Sequence, residues 1–200
     1  EPRFRSFLPL HCENSTFDLK KTERKMLELK EFELKDEAVL RKEWEFIRDL
    51  PENENGFTNA AHGISWEEFL GKYIPRRIQF LTGESLEEGL VRQADYLLWA
   101  DDAIAGIFRI RAELNDFLRN VDGGHIGYGI KREFRGKGLA TYGLRLALAV
   151  LQEKTSDKEA ILFCRKDNPA SLRVMQKNGA RIFCETDENF SVRIPLRRAT

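Results

Sequence analysis

The sequence predicts an α/β fold, a mixed, largely antiparallel twisted sheet of about seven strands with about four helices on its two faces. Three observations carry this. Strand-like and helix-like runs follow one another in the order β-α-α-β-β-β-α-β-α-β-β. The three consecutive strands exclude a purely parallel, doubly wound sheet, where strands and helices alternate. Hydrophobic residues form 42% of the chain and include 14 Phe, enough to bury a core on both sides of a sheet and too many for a disordered chain.

Residues 1–25 stand apart from the rest. Pro2, Pro9, Asn14, Ser15 and Thr16 interrupt any period and a charged run covers 20–25, so an N-terminal extension, with a strand around 4–10, is expected before a single domain over 26–200. From Met26 to Leu34 apolar residues alternate imperfectly, as on a strand with one face exposed. Asp36 then offers a helix N-cap, and Ala38, Val39, Trp44, Phe46 and Ile47 lie on one side of a helix that ends before Pro51. The stretch 51–63, rich in Asn, Gly and Glu, reads as a loop. Ser65 caps a second helix whose apolar face is Phe69, Tyr73 and Ile74, continuing beyond Pro75 to Gly83. Segments 93–100 and 104–111 form a hairpin around Asp101-Asp102, and 114–121 is a short irregular or helical link.

The second half alternates more cleanly. A strand over 125–130 leads into a helix over 138–154, where Leu139, Tyr142, Leu146, Ala149 and Val150 recur at helical spacing. A continuous apolar strand over 160–165 follows. Asn168 caps a helix over 168–178, with Pro169 at its first turn and Gly179 past its end. Strands over 181–185 and 190–196 close the domain around Asp187-Glu188-Asn189.

The charge balance narrows the function. With 33 Lys and Arg against 33 Asp and Glu, the net charge is zero, which removes the global electrostatic argument for nucleic acid or an anionic membrane as partner. The longest apolar run, 144–151, is broken by Arg145 and is far shorter than a span of ~20 residues. No secretory signal is read near the N-terminus. Cys12, Cys164 and Cys184 are odd in number and lack metal-like spacing, and His11 and His62 have no partners in sequence. Unpaired thiols, no metal and a cytoplasmic location are expected.

The segment Gly127-Tyr128-Gly129-Ile130-Lys131-Arg132-Glu133-Phe134-Arg135-Gly136-Lys137-Gly138-Leu139-Ala140-Thr141 carries the chemistry. A strand runs into a glycine-bearing, cationic loop that opens directly into a helix. Glycines let the backbone approach a ligand closely, and the first helical turn adds unpaired N–H groups and the positive end of its dipole. Together they make a pocket for phosphate or pyrophosphate, with Arg135 and Lys137 at its rim. A P-loop is excluded because Lys131 stands at its first glycine and Gly138 at its hydroxyl position. A dinucleotide fingerprint fails because Thr141 stands where Gly or Ala is needed.

This segment resembles the GNAT superfamily of acyl-CoA-dependent N-acetyltransferases. Arg135-Gly136-Lys137-Gly138-Leu139-Ala140 matches that family's Gln/Arg-x-x-Gly-x-Gly/Ala signature in full. The likeness extends to Ile130 at the end of the central strand, and to Asn168-Pro169-Ala170-Ser171 and Lys177-Asn178-Gly179-Ala180 around the last core helix. It covers about residues 26–196. It implies a GNAT-like sheet and acetyl-CoA as acetyl donor, with transfer to a primary amine, of a small molecule or a protein N-terminus, in a ternary complex. It also implies that the amides of Arg135, Gly136, Lys137, Gly138, Leu139 and Ala140 hold the pyrophosphate, helped by the Thr141 hydroxyl. Tyr128 and Ile130 would pair with the pantetheine arm through their backbone, and Asn168 and Ser171 would approach it from the next helix. A β-bulge in the central strand would aim an N–H at the thioester oxygen. Dimers are common in the family, so a homodimer is one implied state.

The tyrosine that many members place eight positions into the last motif is Met175 here, which leaves the leaving thiolate to solvent or to Tyr128. His125 is a candidate base, directly or through water; the alternative is a strand-end histidine in a local hydrogen bond. Tyr128 either donates a proton to the sulfur or carbonyl or packs in the core. Glu133, Glu185 and Glu188 read as surface charges, Cys164 as a buried structural thiol, and Trp44 and Trp66 as core anchors or acceptor-site walls. Phe108, Arg109 and Arg111 belong to a strand facing the acceptor cleft, and Arg111 could orient an acidic acceptor. A non-catalytic acyl-CoA-binding module is the second reading.

Overall fold

The pleat of one sheet sorts the apolar residues of this chain into two cores. The computed structural model describes residues 26–196; the expected extension over 1–25, with its strand, His11 and Cys12, lies outside them. The first half contains β1 (Leu27–Glu31), α1 (Glu37–Asp49), a short hairpin of β2 (Asn53–Glu54) and β3 (Phe57–Thr58), and α2 (Trp66–Glu68). A π-helical turn at Phe69–Tyr73 carries α2 into α3 (Ile74–Thr82), and β4 (Ala94–Ala100), β5 (Ala103–Ile110) and α4 (Asp116–Asn120) follow. The second half contains β6 (Ile126–Ile130), α5 (Leu139–Lys154), β7 (Glu159–Arg165), α6 (Pro169–Lys177), β8 (Arg181–Glu185) and β9 (Asn189–Pro195). Among the described residues no helix is long and apolar enough to cross a membrane.

Strands β1, β4, β5 and β6 form one antiparallel sheet in that order; β7, β9 and β8 form a second. Tyr96, Leu98, Phe108, Ile110, Ile126 and Ile130 point to one face of the first sheet and pack with Leu144, Ala147 and Leu151 of α5. Their neighbours Leu97, Trp99 and Ile107 point the other way, onto Phe46 and Ile47 of α1 and Phe69 of the π-turn. This is the period-2 alternation of a strand buried on both sides.

The helix starts are as the caps predict. Asp36 accepts from the N–H groups of Ala38 and Val39, Ser65 Oγ from Glu68, and Asn168 Oδ1 from Ser171. Each such cap contributes about 1 kcal/mol. Two local features depart from expectation. Segment 51–63 is not simply a loop: Asn55 (φ 52°) and Gly56 (φ 96°) make the turn of the β2–β3 hairpin. The buried face of α1 is Leu40, Glu43, Phe46 and Ile47, while Ala38, expected on that face, is exposed.

Glu43 is 1% exposed, and both its carboxyl oxygens accept from the N–H of Glu33, at 3.1 and 3.0 Å. Burial pushes its pKa up to about 8, so it stays protonated in the fold where the unfolded chain, near 4.5, has released the proton. Stability is therefore full below pH 4.5 and falls as pH rises toward 8, by up to about 1.4 kcal/mol per pH unit. Glu43→Gln keeps an acceptor without the charge. Urea unfolding across this range is expected to show a flatter pH dependence for the variant.

Candidate active site

The site is the gap where the two sheets part. Arg111 N–H donates to His125 O at 2.8 Å and Lys131 N–H to Ala105 O at 2.9 Å, one bond at each end of the β5–β6 ladder. Gly127 and Gly129 therefore direct their backbone groups at β5, while Ile126, Tyr128 and Ile130 turn theirs the other way. On β7 the bonds from Leu196 N–H to Lys158 O and from Lys166 N–H to Glu188 O set the matching phase. Residues 161, 163 and 165 face away from β9.

Two outward edges thus confront each other, but they meet only at one end. His125 N–H donates to Ile161 O at 2.7 Å, and Ile161 N–H donates to His125 Nδ1 at 2.9 Å. Gly124 allows this contact. At φ +62° it adopts the left-handed region, and a Cβ there would stand 2.3 Å from Ile161 O. Beyond this vertex the strands diverge around a cleft of about 750 Å³.

The loop from β6 to α5 closes the far end. Gly136 (φ +73°) and Gly138 (φ +77°) take left-handed conformations, and a Cβ on either would meet nothing within 4 Å. No side chain caps α5, which runs for 16 residues, so its first N–H groups face the cleft mouth with the positive dipole end behind them. Arg135 braces the loop through Nε to Ile130 O at 3.0 Å, and Lys137 through Nζ to Glu133 O at 2.8 Å. From the other side Asn178 Nδ2 donates to Thr141 O at 3.1 Å, which ties α6 to α5.

Most of the residues singled out in the sequence share this cleft. Tyr128, Ile130, Arg135, Gly136, Gly138, Leu139, Ala140, Thr141, Asn168 and Ser171 all line it. Lys137 does not, because its ammonium is turned back onto the loop. Tyr128 stacks on Phe108 at 5.5 Å between centroids, and its hydroxyl lies 2.8 Å from Ser171 Oγ, a bond in which either can donate. Burial pushes the Tyr128 phenol up, so it is protonated throughout the physiological range. Met175 lines the wall as a buried apolar group. Cys164 is buried too, its thiol pointing at Arg165 O and Asn168 O (3.4 Å each) and its pKa raised by burial, which makes it a poor nucleophile.

Two expectations need correction. His125 is not on the cleft wall: it is fully buried, Nδ1 accepts from Ile161 and Nε2 faces Asp157 Oδ2 at 3.1 Å. Burial, only partly offset by Asp157, lowers its pKa to about 4, so it is neutral at neutral pH and its basic nitrogen is occupied. The bulge expected in the central strand is also absent, since the β5–β6 register runs unbroken from Gly106↔Ile130 to Ile110↔Ile126. Sequence reading missed the β2–β3 hairpin, which lends Asn55, Phe57 and Thr58 to the cleft. The dipeptide Asn55-Gly56, a strong two-residue hairpin signal, marked it.

A family model described as an acetyltransferase (GNAT) domain matches residues 27–181. The chain belongs to the GNAT acetyltransferase family. Solved GNAT structures share the fold at low identity. RimL, a ribosomal alpha-N-protein acetyltransferase in complex with coenzyme A, is 16% identical over 86% of this chain and 92% of its own, with a TM-score of 0.56. The N-acetyltransferase PseH of Campylobacter jejuni, in complex with acetyl coenzyme A, is 13% identical over 86% and 100%, also with a TM-score of 0.56. A mutant spermidine N-acetyltransferase SpeG of Vibrio cholerae is 16% identical over 85% and 94%, again at 0.56. No curated protein matches the chain in sequence.

The vertex geometry of this GNAT domain makes a stability prediction. His125→Ala strands the Ile161 N–H in the interior and should cost about 1–3 kcal/mol, whereas His125→Asn, whose amide oxygen can replace Nδ1, should recover much of it. Wild-type stability should fall as pH drops from about 6.5 toward 4, where the unfolded chain binds a proton that the folded His125 refuses. Thermal unfolding of His125→Asn should lack that part of the acid limb.

Proposed function

We propose that this GNAT domain transfers the acetyl group of acetyl-CoA to a primary amine, of a small molecule or a protein N-terminus, by direct attack in a ternary complex. The observation that carries the reading is the continuity of the uncapped α5 N-terminus with the outward backbone edge of β6. One end suits a pyrophosphate, the other an extended amide-bearing arm. Complexes with coenzyme A and acetyl coenzyme A among the related folds, and the acceptors named for RimL and SpeG, support it.

Acetyl-CoA supplies an activated thioester; the protein's own groups do the rest. The Arg135 N–H is already taken by Arg132 O at 3.2 Å, so the amides of 136–140 hold the diphosphate, and the outward N–H and C=O groups of Tyr128 and the N–H of Ile130 align the pantetheine. Asn168 and Ser171 close on it from the start of α6. The remaining outward N–H of β6, that of Ile126, is the oxyanion donor that a bulge was expected to aim. Tyr128, protonated and hydrogen-bonded to Ser171 Oγ, protonates the leaving thiolate in place of a residue at Met175. With His125 occupied, the ammonium releases one proton to solvent before attack, and the proton that the nitrogen sheds as the tetrahedral intermediate collapses returns through solvent to the Tyr128 phenolate.

Three outcomes test this. Gly138→Asp puts a side chain and a negative charge into the cradle and should weaken acetyl-CoA binding by roughly a hundredfold in calorimetry; unchanged affinity overturns the cradle. Tyr128→Phe should lower kcat by about a hundredfold and leave KM for acetyl-CoA nearly unchanged. The rate of thiol release should rise with pH up to the acceptor amine's own pKa, with no inflection near 6.5. Tight acetyl-CoA binding with no thiol release on any amine would favour the non-catalytic module instead.

A further inference from the structure

The vertex end of the cleft holds more positive charge than the protein neutralises. Asp95 on β4 is fully buried and sits directly across the ladder from Arg109. Burial by itself would raise its pKa, but Arg109 and Arg77 hold it below the usual carboxylate range, so it is ionised. Its oxygens are taken: Arg109 Nε reaches Oδ1 at 2.9 Å, Arg109 Nη2 reaches Oδ2 at 3.3 Å, and Arg77 Nη1 also bonds Oδ2. Arg111 comes third and gets no carboxylate. Its Nε donates to Gln93 Oε1 at 3.0 Å and its Nη1 to Gly124 O at 3.1 Å, both neutral acceptors. Among the described residues nothing accepts from its Nη2. Burial, and then the like charge of Arg109, outweigh the attraction of Asp95 and Asp122 and lower its pKa to about 10, which still leaves it charged at neutral pH.

Arg109 and Arg111 both line the cleft. Asp122 and Glu188 line it too, but they are exposed, and Asp122 Oδ1 already accepts from Gly123 N–H at 2.7 Å. Three guanidinium groups around one buried carboxylate are an incomplete set, because a buried charge is costly until it is paired. A planar guanidinium with one nitrogen left over is shaped to receive an oxyanion. From Ile126 to Ile130 β6 spans roughly 13 Å, so this cationic end is well separated from the diphosphate cradle at Gly138.

We propose that the acceptor is a primary amine bearing its own anion, a carboxylate or a phosphate monoester, and that Arg111 is the residue that pairs with it. The inference rests on the amine-acetyltransferase reading and adds the substrate class to it. The anion sits against Arg111 at the vertex and turns the amine along β6 toward Tyr128. A polyamine is disfavoured there, because its cations would face Arg109 and Arg111.

The test uses matched acceptors: glycine, β-alanine and γ-aminobutyrate, each against its amide, together with phosphoethanolamine and spermidine. Thiol release is followed in the wild type, Arg111→Gln and Arg111→Lys, with acetyl-CoA affinity and thermal unfolding measured for each. At least one anionic amine should exceed its amide and spermidine in kcat/KM by ten times or more; if the aminoalkyl phosphate leads, the anion is a phosphate. Arg111→Gln should raise KM for the anionic amines by about ten- to a hundredfold, leave that for the amides unchanged, and keep acetyl-CoA affinity; Arg111→Lys should recover part of the loss. A preference for spermidine, or an equal loss on acids and amides, overturns the proposal. If acetyl-CoA binds but no amine reacts, the transfer reading has failed. Binding of N-acetyl-γ-aminobutyrate to the CoA-loaded protein then decides the anion site by itself: loss in Arg111→Gln upholds it, and no binding to the wild type sinks it.

Discussion

The pair of hydrogen bonds between residue 125 and Ile161 is where the two sheets are joined, and the cleft exists because the seam goes no further. Both backbone groups of Ile161 are satisfied there, one by the His125 N–H and one by the His125 ring. A ladder that continued would bury the outward edge of β6 against β7 and leave no free backbone for a ligand. Gly124, with no Cβ to strike Ile161 O, brings the chain close enough for the seam to form. Asp157, which contacts the His125 ring and accepts from Arg119 of α4 at 2.9 Å, braces the same corner from outside.

Around that vertex two independent periodicities converge. The alternation along β6 decides that Tyr128 and Ile130 direct their backbone groups into the gap, while their side chains lie on the α5 face. Tyr128 then reaches Ser171 at the start of α6, so the same residue offers its backbone to the cleft and its phenol to a hydroxyl across it. The helical period and the two left-handed glycines decide that α5 begins with its amides bare. The two patterns form one continuous backbone surface because a loop of eight residues, 131–138, joins the end of β6 to the start of α5.

The charges follow the same geometry. Asp95, Arg109 and Arg111 lie on paired strands β4 and β5 and their ends, so the hairpin by itself brings them together. Arg77 arrives from α3, eighteen residues before Asp95. The buried carboxylate is consumed by its nearest two cations, and the third is left at the cleft. The Glu43 carboxyl and the Nδ1 of His125 are thus bonded within the fold, whereas the half-buried Arg111 is satisfied only in part.

Much of this was legible before any coordinates. The caps at Asp36, Ser65 and Asn168, the hairpin at Asp101-Asp102 and the glycine loop into α5 are short-range patterns, and local sequence dictates them because their partners lie within a few residues. The likeness carried by Arg135 to Ala140 and by Asn168 to Ala180 pointed to the same family that the family match shows. The turn at Asn55-Gly56 was legible in principle, but its strands are two residues each and carry no alternation to follow. What the sequence determined by itself, then, was which elements form and where a backbone able to bind an anion begins. Only the tertiary structure decided that the His125 ring is buried and bonded to Ile161 at the vertex, that Lys137 turns away from the cleft, and that Arg111 is the arginine without a carboxylate bond. An imidazole or a guanidinium has the same chemistry in every sequence; its role depends on which distant groups the fold sets beside it and on how much water is left there.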